Sequence, residues 1–196
     1  MAGTLVRTRA AAMEIGLVSP GESPSATEAI EGVLNEALVF CAQKMGMENH
    51  EAVVGLLRQR DRAACGYWLY RAAVQVASAL GSMDRNVKAV YILDYDATPE
   101  DLCFGVSSQG SLVIHLIVWS EPRTAALCSL IAALDRALAQ ACTDLLVRPA
   151  VKSLLDAHVV DDADVEGCIG HGALLHSIHH RPMQVWERGD STRRSL

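Results

Sequence analysis

The spacing of apolar positions divides the chain into two helical regions with an extended region between them. Ile30, Val33, Leu34, Ala37, Leu38, Cys41 and Met45 recur at three- and four-residue steps, the signature of a helix with one buried stripe. Ser25 with Glu28 three residues on fits a capping box at its start, and Gly46 fits a stop. Asn49 predicts the cap of a second helix carrying Ala52, Val53, Leu56 and Leu57. A third helix is expected from about 61 to 80, through Trp68, Leu69, Ala72, Val76 and Leu80, ending at Gly81.

The period then changes. Residues 87–95 (VKAVYILDY) are rich in β-branched and aromatic side chains and read as a strand. Turn chemistry at 96–100 leads to a shorter strand at 102–106, and 107–110 reads as a hairpin loop. Residues 112–119 are apolar apart from His115, which predicts a central strand covered on both faces. Short connections between these three strands predict an antiparallel meander. Residues 123–147 then carry the longest helical stripe: Leu127, Leu130, Ile131, Leu134, Leu138 and Leu145, with alanines around most of the remainder. A short helix is expected at 151–157, an acidic connection at 159–167, a further short helix at 173–179, and a late strand at 183–188. The predicted fold is α+β: a three- to four-stranded, mainly antiparallel sheet (about 87–119 plus 183–188) against the long helix 123–147 and the N-terminal helices. Residues 1–22 read as a leader, 23–188 as a single domain and 189–196 as a polar tail.

Composition narrows the functions. Of 196 residues, 51% are hydrophobic and 20% charged, enough apolar material for a core. The 23 acidic residues against 17 basic ones argue against general nucleic-acid binding, which needs a basic face. A mean hydropathy of +0.19 suggests apolar surface to be covered by a second copy or a protein partner, so a homo-oligomer is expected. The alanine-rich helix 123–147 offers close approach for such a contact. None of the six cysteines forms a C-x-x-C pair. Most lie in apolar patterns, which suits a reducing cytoplasm. Neither 112–119 nor the apolar stretch at 125–134 reaches the length of a membrane span, so no membrane association is expected.

Four constellations carry candidate chemistry. Asp94 and Asp96, two apart on a strand, point to one face and can hold a divalent cation such as magnesium through oxygen. A Gly81-Ser82 turn upstream can offer N–H groups to a phosphate. This spacing resembles the nucleotidyltransferase superfamily, and the resemblance implies a catalytic, metal-binding role for Asp94 and Asp96 and triphosphate contact at Gly81 and Ser82. It spans about 16 residues. It departs from the family pattern in that Gly81 follows a helix and the neighbouring strand 112–119 carries only His115 where the family has a third carboxylate. On local chemistry alone, Gly81 is a helix cap, and Asp94 and Asp96 mark a strand entering its turn.

The second constellation is Cys168, His171, His176, His179 and His180. With His176, His179 and His180 on one helix face, and Cys168 or His171 completing the set, these residues suit zinc. The competing reading is an exposed helix end. Third, Asp162-x-Asp164-x-Glu166-Gly167 opens like a calcium loop, but Ala173 stands where the bidentate Glu belongs, so a solvated acidic loop is expected. Fourth, Tyr67, Trp68 and Tyr70 supply core rings and an interface anchor. No P-loop, dinucleotide fingerprint or nucleophile elbow is present in the sequence. Three functions follow as expectations: an accessory or assembly protein, a nucleotide-binding or nucleotidyltransferase-like domain, and a metal-binding domain.

Overall fold

A computed structural model describes residues 26–93, 113–146, 153–179 and 181–189. Local signals set the helices. In α1 (Ala26–Met45) the stripe buries Ile30, Val33, Ala37, Cys41 and Ala42. Gly46 follows in the left-handed region at φ 66°, the conformation glycine adopts without a Cβ penalty. Asn49 caps α2 (His50–Gln59), its side chain accepting from the Glu51 amide at 2.8 Å. Asp61 caps α3 (Arg62–Met83) by accepting from the Ala64 amide at 2.9 Å.

The helix α3 does not stop at Gly81. It continues to Met83 and ends at Asp84. Gly81 is needed for space: a Cβ there would land inside the Trp186 ring. The end of α3 is closed from across the sheet by Arg188, which donates to the carbonyls of Gly81 at 2.7 Å, Asp84 at 2.9 Å and Val87 at 2.9 Å.

Four strands form one sheet in the order β3-β2-β1-β4: β1 (Val87–Ile92), β2 (Ile114–Ser120), β3 (Leu155–Val160) and β4 (Met183–Glu187). Strands β1 and β2 pair antiparallel, as do β1 and β4, while β2 and β3 run parallel across the helix α4 (Ala125–Leu146). The α+β class and the late strand stand as expected. Two details differ. The stretch expected as a short helix at 151–157 instead enters β3, because Leu155, Ala157 and Val159 alternate with Asp156 and His158 at the period of a strand. The pairing of β1 with β2 is direct, and the expected strand 102–106 lies outside the described residues, as do Ser25, Asp94, Asp96 and His180. The acidic connection contains a short helix, α5 (Asp162–Glu166), and a 3-10 helix (Gly170–His176) follows it.

The main core lies between one face of the sheet and the helices α1, α3 and α4. Trp68, Leu69, Val76 and Leu80 from α3 meet Val90, Leu116 and Val118 from the sheet and Leu127, Leu134 and Leu138 from α4. Tyr67 and Tyr70 pack at its edge around Phe40. The other face has a smaller cluster, Leu93, Ile117, Val160 and Val165, roofed in part by Leu174 and Leu175. The helix α4 is long and apolar enough to cross a membrane by length and composition, and 28% of its most apolar window is buried. Its Asp135 fixes the start of β3: one carboxylate oxygen accepts from the amides of Leu154 and Leu155, each at 2.9 Å, and the other from the Ser153 hydroxyl at 3.0 Å.

Two stability predictions follow from these contacts. Gly81→Ala should cost about 1–3 kcal/mol by forcing the Trp186 ring aside, whereas Gly32→Ala in α1, where a Cβ meets nothing within 4 Å, should gain about 0.5–1 kcal/mol. Urea melts of both variants check the opposite signs. Asp135→Ala, which strips the partner from two backbone donors, should cost about 1–3 kcal/mol. The same melts measure it, with Asp144→Ala on the exposed side of α4 as the near-neutral control.

Candidate functional site

The second face of the sheet gathers imidazoles around one carboxylate. Parallel pairing sets His115 of β2 opposite Asp156 of β3, and on each strand these residues share a parity with the small second cluster. Nδ1 of His115 lies 3.1 Å from Oδ2 of Asp156. An ionised carboxylate only accepts, so the ring nitrogen is the donor. The other oxygen, Oδ1, lies 3.5 Å from Nε2 of His158, two residues further along β3. The His158 ring in turn stacks on His171 of the 3-10 helix, with centroids 3.6 Å apart and planes 9° from parallel. Asp156 is about half exposed and the His115 and His158 side chains are less so, which leaves the group reachable from solvent. Burial holds His171 below the ordinary imidazole value, His158 beside it adds to the effect, and Asp156 opposes it.

Further along the same face the charges are paired. Nζ of Lys88 lies 2.6 Å from both carboxylate oxygens of Asp162, and the Trp119 indole donates to Asp162 at 2.8 Å. These bonds from Lys88, then Trp119, hold the Asp162 carboxyl below its ordinary 3.8. Asp161 and Asp164 form the capping box of α5, and Arg123 reaches Asp164 at 3.1 Å as well as the Val159 carbonyl. Two carboxylates of the calcium-like run, Asp162 and Asp164, therefore serve ion pairs and a helix cap.

The cysteine–histidine set does not converge. Cys168 is exposed at φ 51°, His176 meets the Val165 carbonyl at 3.1 Å, His171 faces His158, and His179 is exposed. Among the described residues no three His, Cys, Asp or Glu side chains come together as a metal site. The reason is local. The segment expected as a regular helix forms a 3-10 helix that ends at His176, so His176 and His179 do not share the face of one helix.

Gly81 and Ser82 lie in the last turn of α3, where carbonyls rather than N–H groups are left over and the helix dipole is negative. Ser82 donates its hydroxyl to the Ser78 carbonyl at 2.8 Å and lines a groove between α1 and α3 of about 310 Å³. The N–H groups of that turn are spent inside the helix, so they form no amide cradle of the kind expected at Gly81 and Ser82. Leu93, the residue before Asp94, donates its amide to the His115 carbonyl at 2.9 Å. The three residues at the centre of the site, His115, Asp156 and His158, were not singled out from sequence as one group. Two signals pointed to them: one imidazole inside an otherwise apolar strand, and the alternation over 155–160.

The fold and this site define an α+β domain with a polar, titratable centre on one sheet face. No family model matches the chain, and no curated protein or solved structure matches it either.

Asp162 should titrate below 3.8, and Lys88→Met should return it toward that value. With a depressed native value, the link contributes stability above the ordinary carboxylate range and loses it as pH falls through the native value. Carboxyl carbon NMR reads both. An identical midpoint in Lys88→Met would show that Lys88 is not the cause.

Proposed function

We propose that this chain works through the imidazole–carboxylate centre on the second face of its sheet, binding a small ligand there and transferring a proton to or from it. The shared carboxylate carries this reading. Asp156 orients His115 through a hydrogen bond and faces His158 with its second oxygen. A carboxylate that fixes an imidazole's orientation and tautomer is the arrangement general acid–base chemistry uses near neutral pH. His115 and His158 are the proton-carrying groups, and Asp156 is the positioning residue. The exposed thiols Cys128 and Cys168, which form no disulfide, support a reducing, cytoplasmic setting.

Two further readings each have an observation in their favour. Magnesium-assisted nucleotide chemistry at Asp94 and Asp96 has in its favour the spacing of Gly81-Ser82 from Asp94-x-Asp96 along the chain. Assembly as a homo-oligomer, acting as an accessory protein, is favoured by α4, whose outer side carries Ala125, Ala126, Cys128, Ser129 and Ala132 exposed.

One set of measurements separates the three. The full chain should open the ring of 5-nitrobenzisoxazole, a reaction that a general base drives by taking one carbon-bound proton, and both Asp156→Asn and His115→Ala should slow it roughly tenfold or more. Rates unchanged in both variants would refute the acid–base reading. Magnesium-dependent ATP binding that is lost in Asp94→Ala would favour the nucleotide reading, and a concentration-independent dimer by light scattering would favour assembly.

A further inference from the structure

Besides Asp156, the polar face holds a contact that joins two separate elements: the stack of His158 on β3 against His171 on the 3-10 helix. That helix is otherwise held by the partly buried Leu174 and Leu175, by Gly172 pressed against the backbone of Asp164, and by His176 at the Val165 carbonyl. We infer that the stacked pair is a pH-operated latch, which holds the 3-10 helix over the sheet while at least one ring is neutral and releases it when both carry a proton. This deepens the acid–base reading and rests on it for its purpose, since opening would change access to Asp156 and His115. The latch itself acts in the ligand-free chain.

The physics is that of two like charges at ring-stacking distance. A neutral imidazole stacks on a neutral or charged one at little cost, whereas two imidazolium rings 3.6 Å apart repel. The groups around them set the balance. From β3, Asp156 opposes the lowering at His171 and lies 3.5 Å from His158, and from β2, His115 shares that carboxylate. From α5, Asp162 is engaged by Lys88 and Asp164 by Arg123, Asp161 completes the capping box, and Glu166 is exposed. On the 3-10 helix and just beyond it are His176, bonded to a carbonyl, and the exposed His179. Asp156 is thus the opposing charge, and it is already shared between two imidazoles.

The sign follows from burial. His171 docked titrates below its ordinary 6.5, for which burial and then His158 are responsible. Docking is therefore fully supported above that value and weakens as pH falls through the docked value, because the released ring binds a proton more readily.

Hydrogen–deuterium exchange of the full chain tests the latch, with protection corrected for the intrinsic pH dependence of amide exchange. Protection over residues 168–177 should drop several-fold between about pH 7.5 and about pH 5.5, while β1 and β2 keep theirs. His171→Phe keeps an aromatic ring against His158 without a proton and should remove the pH dependence. His171→Gln, which cannot stack as an aromatic ring, should lower protection at both pH values. A wild-type chain with equal protection at both pH values, or a His171→Phe chain that keeps the drop, would overturn the inference. Proton abstraction from 5-nitrobenzisoxazole unaffected by Asp156→Asn alongside a working latch would remove only the proposed chemistry. A proton-abstracting centre with no latch would remove only this inference.

Discussion

The parallel register of β2 with β3 is the constraint on which the rest depends. Side chains on a strand alternate between faces, so a shift of one residue would turn Leu155, Ala157 and Val159 away from the helices and Asp156 and His158 into them. Burying that carboxylate and imidazole against Leu134 and Leu138 would be costly without partners. The same register that completes the core therefore places His115 opposite Asp156. Packing and site are set by one pairing, and neither can move without the other.

What holds the register is mostly remote from it in sequence. The helix α4 spans the distance a parallel connection must cross, and Asp135 on its flank bonds the first amides of β3. The buried stripe Leu127, Leu134, Leu138 and Cys142 locks α4 to the sheet and fixes where Asp135 points. At the far edge, Arg188 performs a similar service for β4, joining it to the end of α3 through three carbonyls. Each link ties a helix to a strand through backbone groups at the ends of those elements.

Elements governed by local chemistry were legible from sequence, and those governed by distant contacts were not. Asn49 and Gly46 mark their helix boundaries because caps act within a few residues. The stripe of α4 and the apolar run of β2 were equally plain. Gly81 was misread as a stop because nothing local announces Trp186, more than a hundred positions away, as the reason for a missing side chain. Residues 155–157 of strand β3 read as the end of a helix and 159–160 as part of the acidic connection, since six residues support either period until the partner strand is known. The candidate site followed the same division. His171 was noticed for its place in a histidine-rich string, but its partner His158 belongs to another element. Asp156 had no sequence signature beyond its parity with His158.

The chemistry of the centre follows from how its groups are distributed. A metal site needs donors aimed at one point, and here Asp156 spends its two oxygens on two different rings. His171 meets His158 face to face, which presents π surfaces instead of lone pairs. Ring-on-ring contact and carboxylate-on-nitrogen contact both leave the imidazoles' protonation states as the variable. Both also tie those states to structure, through orientation of His115 in one case and docking of the 3-10 helix in the other. The carboxylate that could settle the charge on the stacked pair is the one that orients His115, so a proton gained at one ring changes the demand on Asp156 from the others. The four side chains are therefore linked through Asp156 and the ring stack, and a ligand that displaces Asp156 from either imidazole alters the contacts left to the remaining rings.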